Sequence, residues 1–218
     1  MVFKGVSRDN KIYTVIAIFV VIIIIFAVFF SSNELNEAII EDSLLNNTWI
    51  EDISERDSDS QLLGLEKWIS YTYVNKDNIF PAYVTVTSIK TIFMKNEEDL
   101  RDQTLETIKK ASKQGIIIDE ETKLTGERML NNGHKTMYVM YNGNDTSIEP
   151  NEQIMIIGET WNCGPSGTSI ICIGFAQFTN HLIINNTYWA EIIKDKKGTF
   201  GQGMYQGTDG LLFNVKCH

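Results

Sequence analysis

Three cysteines and three histidines carry most of the chemistry open to this chain of 218 residues. Cys163 and Cys172 lie in ETWNCGPSGTSIICIGFAQF, residues 159–178, on either side of a Gly-Pro-Ser-Gly turn, and Cys217 and His218 lie in VKCH. Thiolate and imidazole are zinc ligands, so Cys163, Cys172, Cys217 and His218 form a candidate metal set. Their spacing is unlike that of compact zinc motifs, with no C-x2-C or H-x3-H pair, and the C-x-x-C redox motif is absent. A disulfide is the competing use of the same sulfurs.

The turn constrains that choice. If two strands close on its four residues, Cys163 faces Thr168 and Cys172 faces Glu159. The two sulfurs then share a face but sit about 13 Å apart along the ladder. A disulfide needs Cα atoms within ~7 Å. A Cys163–Cys172 bond therefore requires Thr168–Ile171 to leave regular strand geometry. Alternatively a strand at Leu211–Lys216 returns beside the hairpin and Cys217 bonds one of the other two. That bond closes a loop of about fifty residues, worth ~4 kcal/mol by loop-closure entropy. With all three reduced, each thiol packs as a small apolar group.

The remaining candidates are weaker. His134 opens a strand after a turn and His181 lies in a loop, with no nucleophile motif beside either. Gly-Pro-Ser-Gly is not G-x-S-x-G, so nothing poises Ser166 for attack. GTFGQGMYQGTDG follows a helical pattern rather than a strand, which excludes a dinucleotide loop. Glu55, Asp57 and Asp59 lack the glycine and distal glutamate of an EF-hand. No catalytic residue and no cofactor is expected. Trp49, Trp68, Trp161 and Trp189 suit a sheet–helix core. Trp161 and Pro165 beside the turn form a candidate binding surface.

Elements that would position these residues are legible in the periodicity. Strand-like runs occur at Thr48–Ile53, Leu65–Val74 and Ala82–Met94, the last alternating Val84 and Val86 with Thr85 and Thr87. NEEDLRDQTLETIKKASKQG begins acidic and ends basic, as the helix dipole favours. Leu100, Thr104, Ile108 and Ala111 give it one packing stripe, and Gly115 stops it. Four strands follow at 121–132, 134–144, 152–163 and 168–178, the first two joined at Asn132-Gly133. NTYWAEIIKDKKG reads as a second helix with Thr187 as its cap. The order predicts an α+β domain, an antiparallel β-sheet with two packed helices.

The N-terminal third has its own logic. Ile12–Phe30 is almost wholly apolar and spans about 28 Å as a helix, near the ~30 Å of a bilayer core. It ends without a small-x-small site, which predicts an uncleaved signal anchor. Lys4, Arg8 and Lys11 precede it, which places the N-terminus in the cytoplasm and the rest outside the cell membrane. Residues 31–60 carry nine acidic residues against one arginine, out of a net charge of −9. The expected organisation is a tail over 1–11, a transmembrane anchor over 12–30, an acidic spacer over 31–47 and one domain over 48–218. No basic footprint exists for nucleic acid. Sequons at Asn46, Asn144 and Asn185 are compatible with external glycosylation.

The NEEDLRDQTLETIKK helix, then TGERMLNNGHKTMYVMYN, EQIMIIGETW and IICIGFAQF, resembles the PsbP/Mog1-like domain over residues 48–195. Gly126, Gly133 and Tyr141 mark the rise into long antiparallel strands that the family shows. The chain lacks the family's aromatic-x-Tyr-Pro opening and adds a glycine-rich segment after the second helix. The membrane-anchored arrangement is similar to that of archaeal surface proteins. The resemblance implies a non-catalytic binding or scaffolding module with a protein partner at the cell surface. The alternative is a thiol- or zinc-dependent protein using Cys163, Cys172, Cys217 and His218.

Overall fold

Period-two alternation builds the body. In AYVTVTSIK, Ala82, Val84, Val86 and Ser88 are buried on one face, while Tyr83, Thr85 and Thr87 on the other are half-buried. The computed structural model describes residues 34–45, 47–61, 65–76, 81–111, 115–146, 152–178, 187–193 and 210–218. Its strands are β1 (Trp49–Glu51), β2 (Asp57–Gln61), β3 (Glu66–Asn75), β4 (Ala82–Lys90), β5 (Ile116–Met129), β6 (Lys135–Asp145), β7 (Glu152–Cys163) and β8 (Thr168–Phe178). They form one sheet in the order β1-β3-β4-β8-β7-β6-β5, with β2 also pairing β3. Every pairing is antiparallel.

One face carries helix α1 (Glu97–Ala111). Its Leu100 packs with Ile89 and Ile171, and its Ile108 with Val139, Ile154, Ile156 and Phe175. The opposite face carries the larger core. There Tyr71, Val84, Val86, Ile157, Ile170 and Cys172 meet side chains from three separate segments. These are Ala38, Ile40 and Leu45; Trp189, Ile192 and Ile193 of α2 (Thr187–Ile193); and Leu211, Leu212, Phe213 and Val215.

Among the described residues, the expected α+β architecture of a membrane helix and a sheet with two packed helices is therefore corrected to a predominantly antiparallel sheet with one substantial helix. Of α2 the described residues are the seven of Thr187–Ile193, about two turns, and the rest of the run read as a helix, 194–198, lies outside them. Irregular chain covers the rest of that face. Among the described residues no helix is long and apolar enough to cross a membrane, and the 12–30 run lies outside them. The packed body begins before residue 48. Ala38 and Ile40 are buried, and Ile39 bridges Lys216 through paired backbone bonds of 2.8 and 2.9 Å. The stretch read as a spacer thus supplies part of the core. Leu211–Lys216 is not a strand but a short 3-10 turn, Leu212–Asn214, entered from a helical Leu211 and followed by the isolated bridge of Lys216 to Ile39.

The β5–β6 connection is wider than a two-residue hairpin. β5 stops at Met129 and β6 starts at Lys135. Leu130 accepts from Gly133 N–H at 3.0 Å and donates to His134 C=O at 2.9 Å. Gly133 takes φ 84°, a conformation few other residues accept. The extra length lets Leu130 bury beneath the sheet and Asn131 N–H donate to Phe213 C=O at 3.1 Å.

Candidate functional site

The ends of β4, β5 and β7 and the starts of β6 and β8 lie at one end of the sheet, and the chemistry-bearing residues gather there. Cys163 is the last residue of β7. Its partners in the ladder follow the register a four-residue turn implies: Cys163 opposes Thr168, and Glu159 opposes Cys172. Cys217 reaches it because the Ile39–Lys216 bridge fixes the preceding residue. Cys163 and Cys217 are joined as a disulfide with Cα atoms 6.5 Å apart, and Cys172 is free.

Two histidines close on the same sulfurs. The β5–β6 loop delivers His134, whose N–H donates to Asn132 Oδ1 at 3.0 Å, while Asn132 Nδ2 donates to Val215 C=O at 2.9 Å. His134 Nε2 lies 3.3 Å from Cys217 Sγ. His218 Nδ1 lies 3.4 Å from Cys163 Sγ and 3.6 Å from Cys217 Sγ. The two imidazoles meet edge to face, with centroids 5.5 Å apart and planes at 84°. The four ligand atoms all fall within 4.8 Å of one another, the one such group of His, Cys, Asp or Glu found among the described residues. Both cysteines are buried, His134 is half-buried and His218 is exposed. Burial holds the His134 pKa below the usual histidine value, and His218 beside it pushes the same way.

This set differs from the one read in the sequence. His134 takes the place of Cys172. Cys172 sits inside the core, opposite Glu159, four residues along the ladder from Cys163's position. Burial pushes its thiol pKa well up, and the nearby Glu159 carboxylate adds to the shift. It is a packed thiol, not a ligand. Nothing in the spacing of His134, between a glycine and a lysine, marks it as a partner of residues about 29 and 83 positions away.

The other candidates take structural positions. Ser166 is buried, with its hydroxyl donating to Cys163 C=O at 3.2 Å and touching Thr168 Oγ1. Trp161, expected as a binding surface, is 3% exposed and belongs to the core, whereas Pro165 is exposed in the turn. Glu55, Asp57 and Asp59 are exposed and do not converge. His181 lies outside the described residues.

Sequence reasoning missed two features. Arg128 and Glu159 form a fully buried ion pair on the larger-core face, with Nε–Oε1 at 2.7 Å and Nη2–Oε2 at 2.5 Å. Thr136 Oγ1 donates to the same carboxylate at 2.5 Å, so the pair is hydrogen-bonded as buried charge requires. The second feature is the connection from β4 to α1. Ile92, Phe93 and Met94 are 46%, 84% and 44% exposed. The loop carrying them is fastened at Lys95 through both of that residue's backbone groups. Lys95 N–H donates to Ser169 Oγ at 3.1 Å, and Asn162 Nδ2 donates to Lys95 C=O at 2.9 Å. Thr91 Oγ1 bonds Phe93 C=O, and Asn96 Oδ1 caps α1 by accepting from Asp99 N–H at 2.8 Å. The apolar run TIFM continues the alternation of β4, which predicts a strand to Met94, whereas β4 ends at Lys90.

Comparison with protein-family models, with curated proteins and with solved structures gives no match.

Proposed function

We propose that this domain is a non-catalytic protein-binding module that docks a partner through Ile92, Phe93 and Met94. The carrying observation is the exposure of three consecutive apolar side chains on a loop that leaves β4 at Lys90 and is pinned at Lys95 by hydrogen bonds with Ser169 and Asn162. A loose loop would fold Phe93 back against the sheet. Holding it out forgoes about 1.5–3 kcal/mol of burial, which becomes available to a partner with an apolar pocket. The hydrogen bonds at Thr91 and Lys95 restrain the loop before binding, which lowers the conformational entropy lost on association. An aromatic anchor with smaller apolar neighbours is the common form of an interface hot spot.

The partner's class follows from charge. The chain carries −9 overall, which disfavours nucleic acid. The lysines flanking the loop are engaged: Lys90 Nζ donates to Ser166 C=O at 3.0 Å, and Lys95 Nζ pairs with Glu66 at 3.3 Å. A protein surface is the remaining fit. The PsbP/Mog1-like resemblance in element order points to the same kind of role.

Site-specific photo-crosslinking tests this. A crosslinker at position 93 should give a discrete adduct that one at Glu120, exposed on β5, does not. Phe93→Ser should abolish capture of the same protein while leaving the thermal transition unchanged. Equal adducts from both positions, or capture that survives Phe93→Ser, would remove the loop as the docking site.

A further inference from the structure

We propose that His134, Cys163, Cys217 and His218 form a Cys2His2 site that binds zinc(II) when the two cysteines are reduced. The proposal is independent of the docking role of the 92–94 loop.

Distances carry it. Zinc–sulfur and zinc–nitrogen bonds of ~2.3 and ~2.05 Å at tetrahedral angles set sulfur and nitrogen about 3.6 Å apart. The structure has three such separations, at 3.3, 3.4 and 3.6 Å. The same geometry sets the two sulfurs about 3.8 Å apart, and a Cα separation of 6.5 Å leaves room for that opening once the S–S bond is gone. Two thiolates with two imidazoles in tetrahedral array select zinc among the common divalent ions.

The histidines are the second observation. A structural disulfide requires no imidazole nearby. This chain has three histidines in 218 residues, and two of them meet at this pair of sulfurs. They arrive on separate stretches of chain, and the loop bearing His134 is fastened to the segment bearing Cys217 by Asn131 N–H to Phe213 and Asn132 Nδ2 to Val215. The buried sulfurs exclude water from one side, and exposed His218 gives the ion an entry path.

Disulfide and metal site exclude each other because they use the same two atoms. A dithiol reductant supplies two electrons and two protons. The Cys163–Cys217 bond breaks to two thiols and the reductant closes to its own disulfide. Zinc then displaces the two thiol protons to solvent and takes both thiolates.

Cobalt(II) substitution tests the assignment on the full-length chain, reduced with a phosphine under argon and freed of metal. One equivalent should produce the intense visible bands of tetrahedral cobalt and a near-ultraviolet thiolate-to-cobalt band. One equivalent of zinc should bleach both. His134→Ala and His218→Ala should each weaken binding by more than the ~10–100-fold that losing an outer-shell partner costs. Cys172→Ser should bind as the parent does. Far-ultraviolet dichroism of each variant separates ligand loss from unfolding, and both histidines lie outside the core. Absence of tetrahedral bands in the folded reduced chain would overturn the proposal. So would bands that survive both histidine substitutions, or bands lost in folded Cys172→Ser.

Discussion

The Arg128 guanidinium and the Glu159 carboxylate meet with neither side chain exposed, and Thr136 and the Ile193 carbonyl complete their hydrogen bonds. Removing one partner strands the other charge in the core. Glu159→Gln should therefore cost about 3–5 kcal/mol, whereas Arg128→Met with Glu159→Leu should cost much less. Urea denaturation of the two variants checks this, and equal losses would show that the charges act through packing alone. Phe93 obeys the opposite arithmetic. It is 84% exposed, so Phe93→Ser should change folding stability by no more than ~0.5 kcal/mol while removing the docking anchor. A large loss of stability on that substitution would mean that Phe93 is buried in the free domain.

Among the elements, α1 depends on a glycine beneath it. A Cβ at Gly158 would stand 2.3 Å from Thr104 Cγ2 and 3.0 Å from Ile108 Cδ1, so Gly158→Ala must displace the buried Thr104 methyl or the helix that carries it. The expected cost is about 1–3 kcal/mol, read as a lowered denaturation midpoint. Gly164→Ala, with nothing within 4 Å, is the matched control. The β7–β8 hairpin and α1 were legible in the sequence because their signals are local. A four-residue turn fixed the register of Cys163 and Cys172, and acidic-to-basic polarity with an apolar stripe fixed the helix. The cover of the opposite face was not legible. Ala38 and Ile40, and Phe213, Val215 and Cys217, are buried at alternate positions, but runs this short carry a weak signal, and the single Ile39–Lys216 bridge that brings the two segments together is long-range. His134 was missed for the same reason: its partners are distant in sequence, and an Asn-Gly pair suggested a tighter turn than the one that positions it.

For the molecule as a whole, the Cys163–Cys217 link joins the last strand-end of β7 to the segment that closes the larger core. The bonded residues are 54 apart, so Cys217→Ser should lower stability by about 4 kcal/mol relative to the oxidised parent. Alkali should act on the same face. Burial pushes the Tyr73 phenol up to about 12, and its oxygen accepts from Ile40 N–H at 3.1 Å. A phenol in the unfolded chain ionises near 10. The folded state is thus favoured by the neutral phenol below pH ~10, and that contribution is lost as pH rises toward 12. The share of the tyrosinate absorbance that Tyr73→Phe removes should appear late and together with unfolding. Early, gradual ionisation of every tyrosine in a chain that stays folded would contradict the buried placement of Tyr73.

The most direct test of this architecture is a disulfide map. The metal-free chain would be oxidised with a mild disulfide reagent, denatured, alkylated and digested without reduction. One cross-linked peptide pair is expected, joining Cys163 to Cys217, with Cys172 alkylated. Any bond from Cys172 would contradict it, because Cys172 would then have to leave its place opposite Glu159, and with it the register of the sheet that brings the other four residues together.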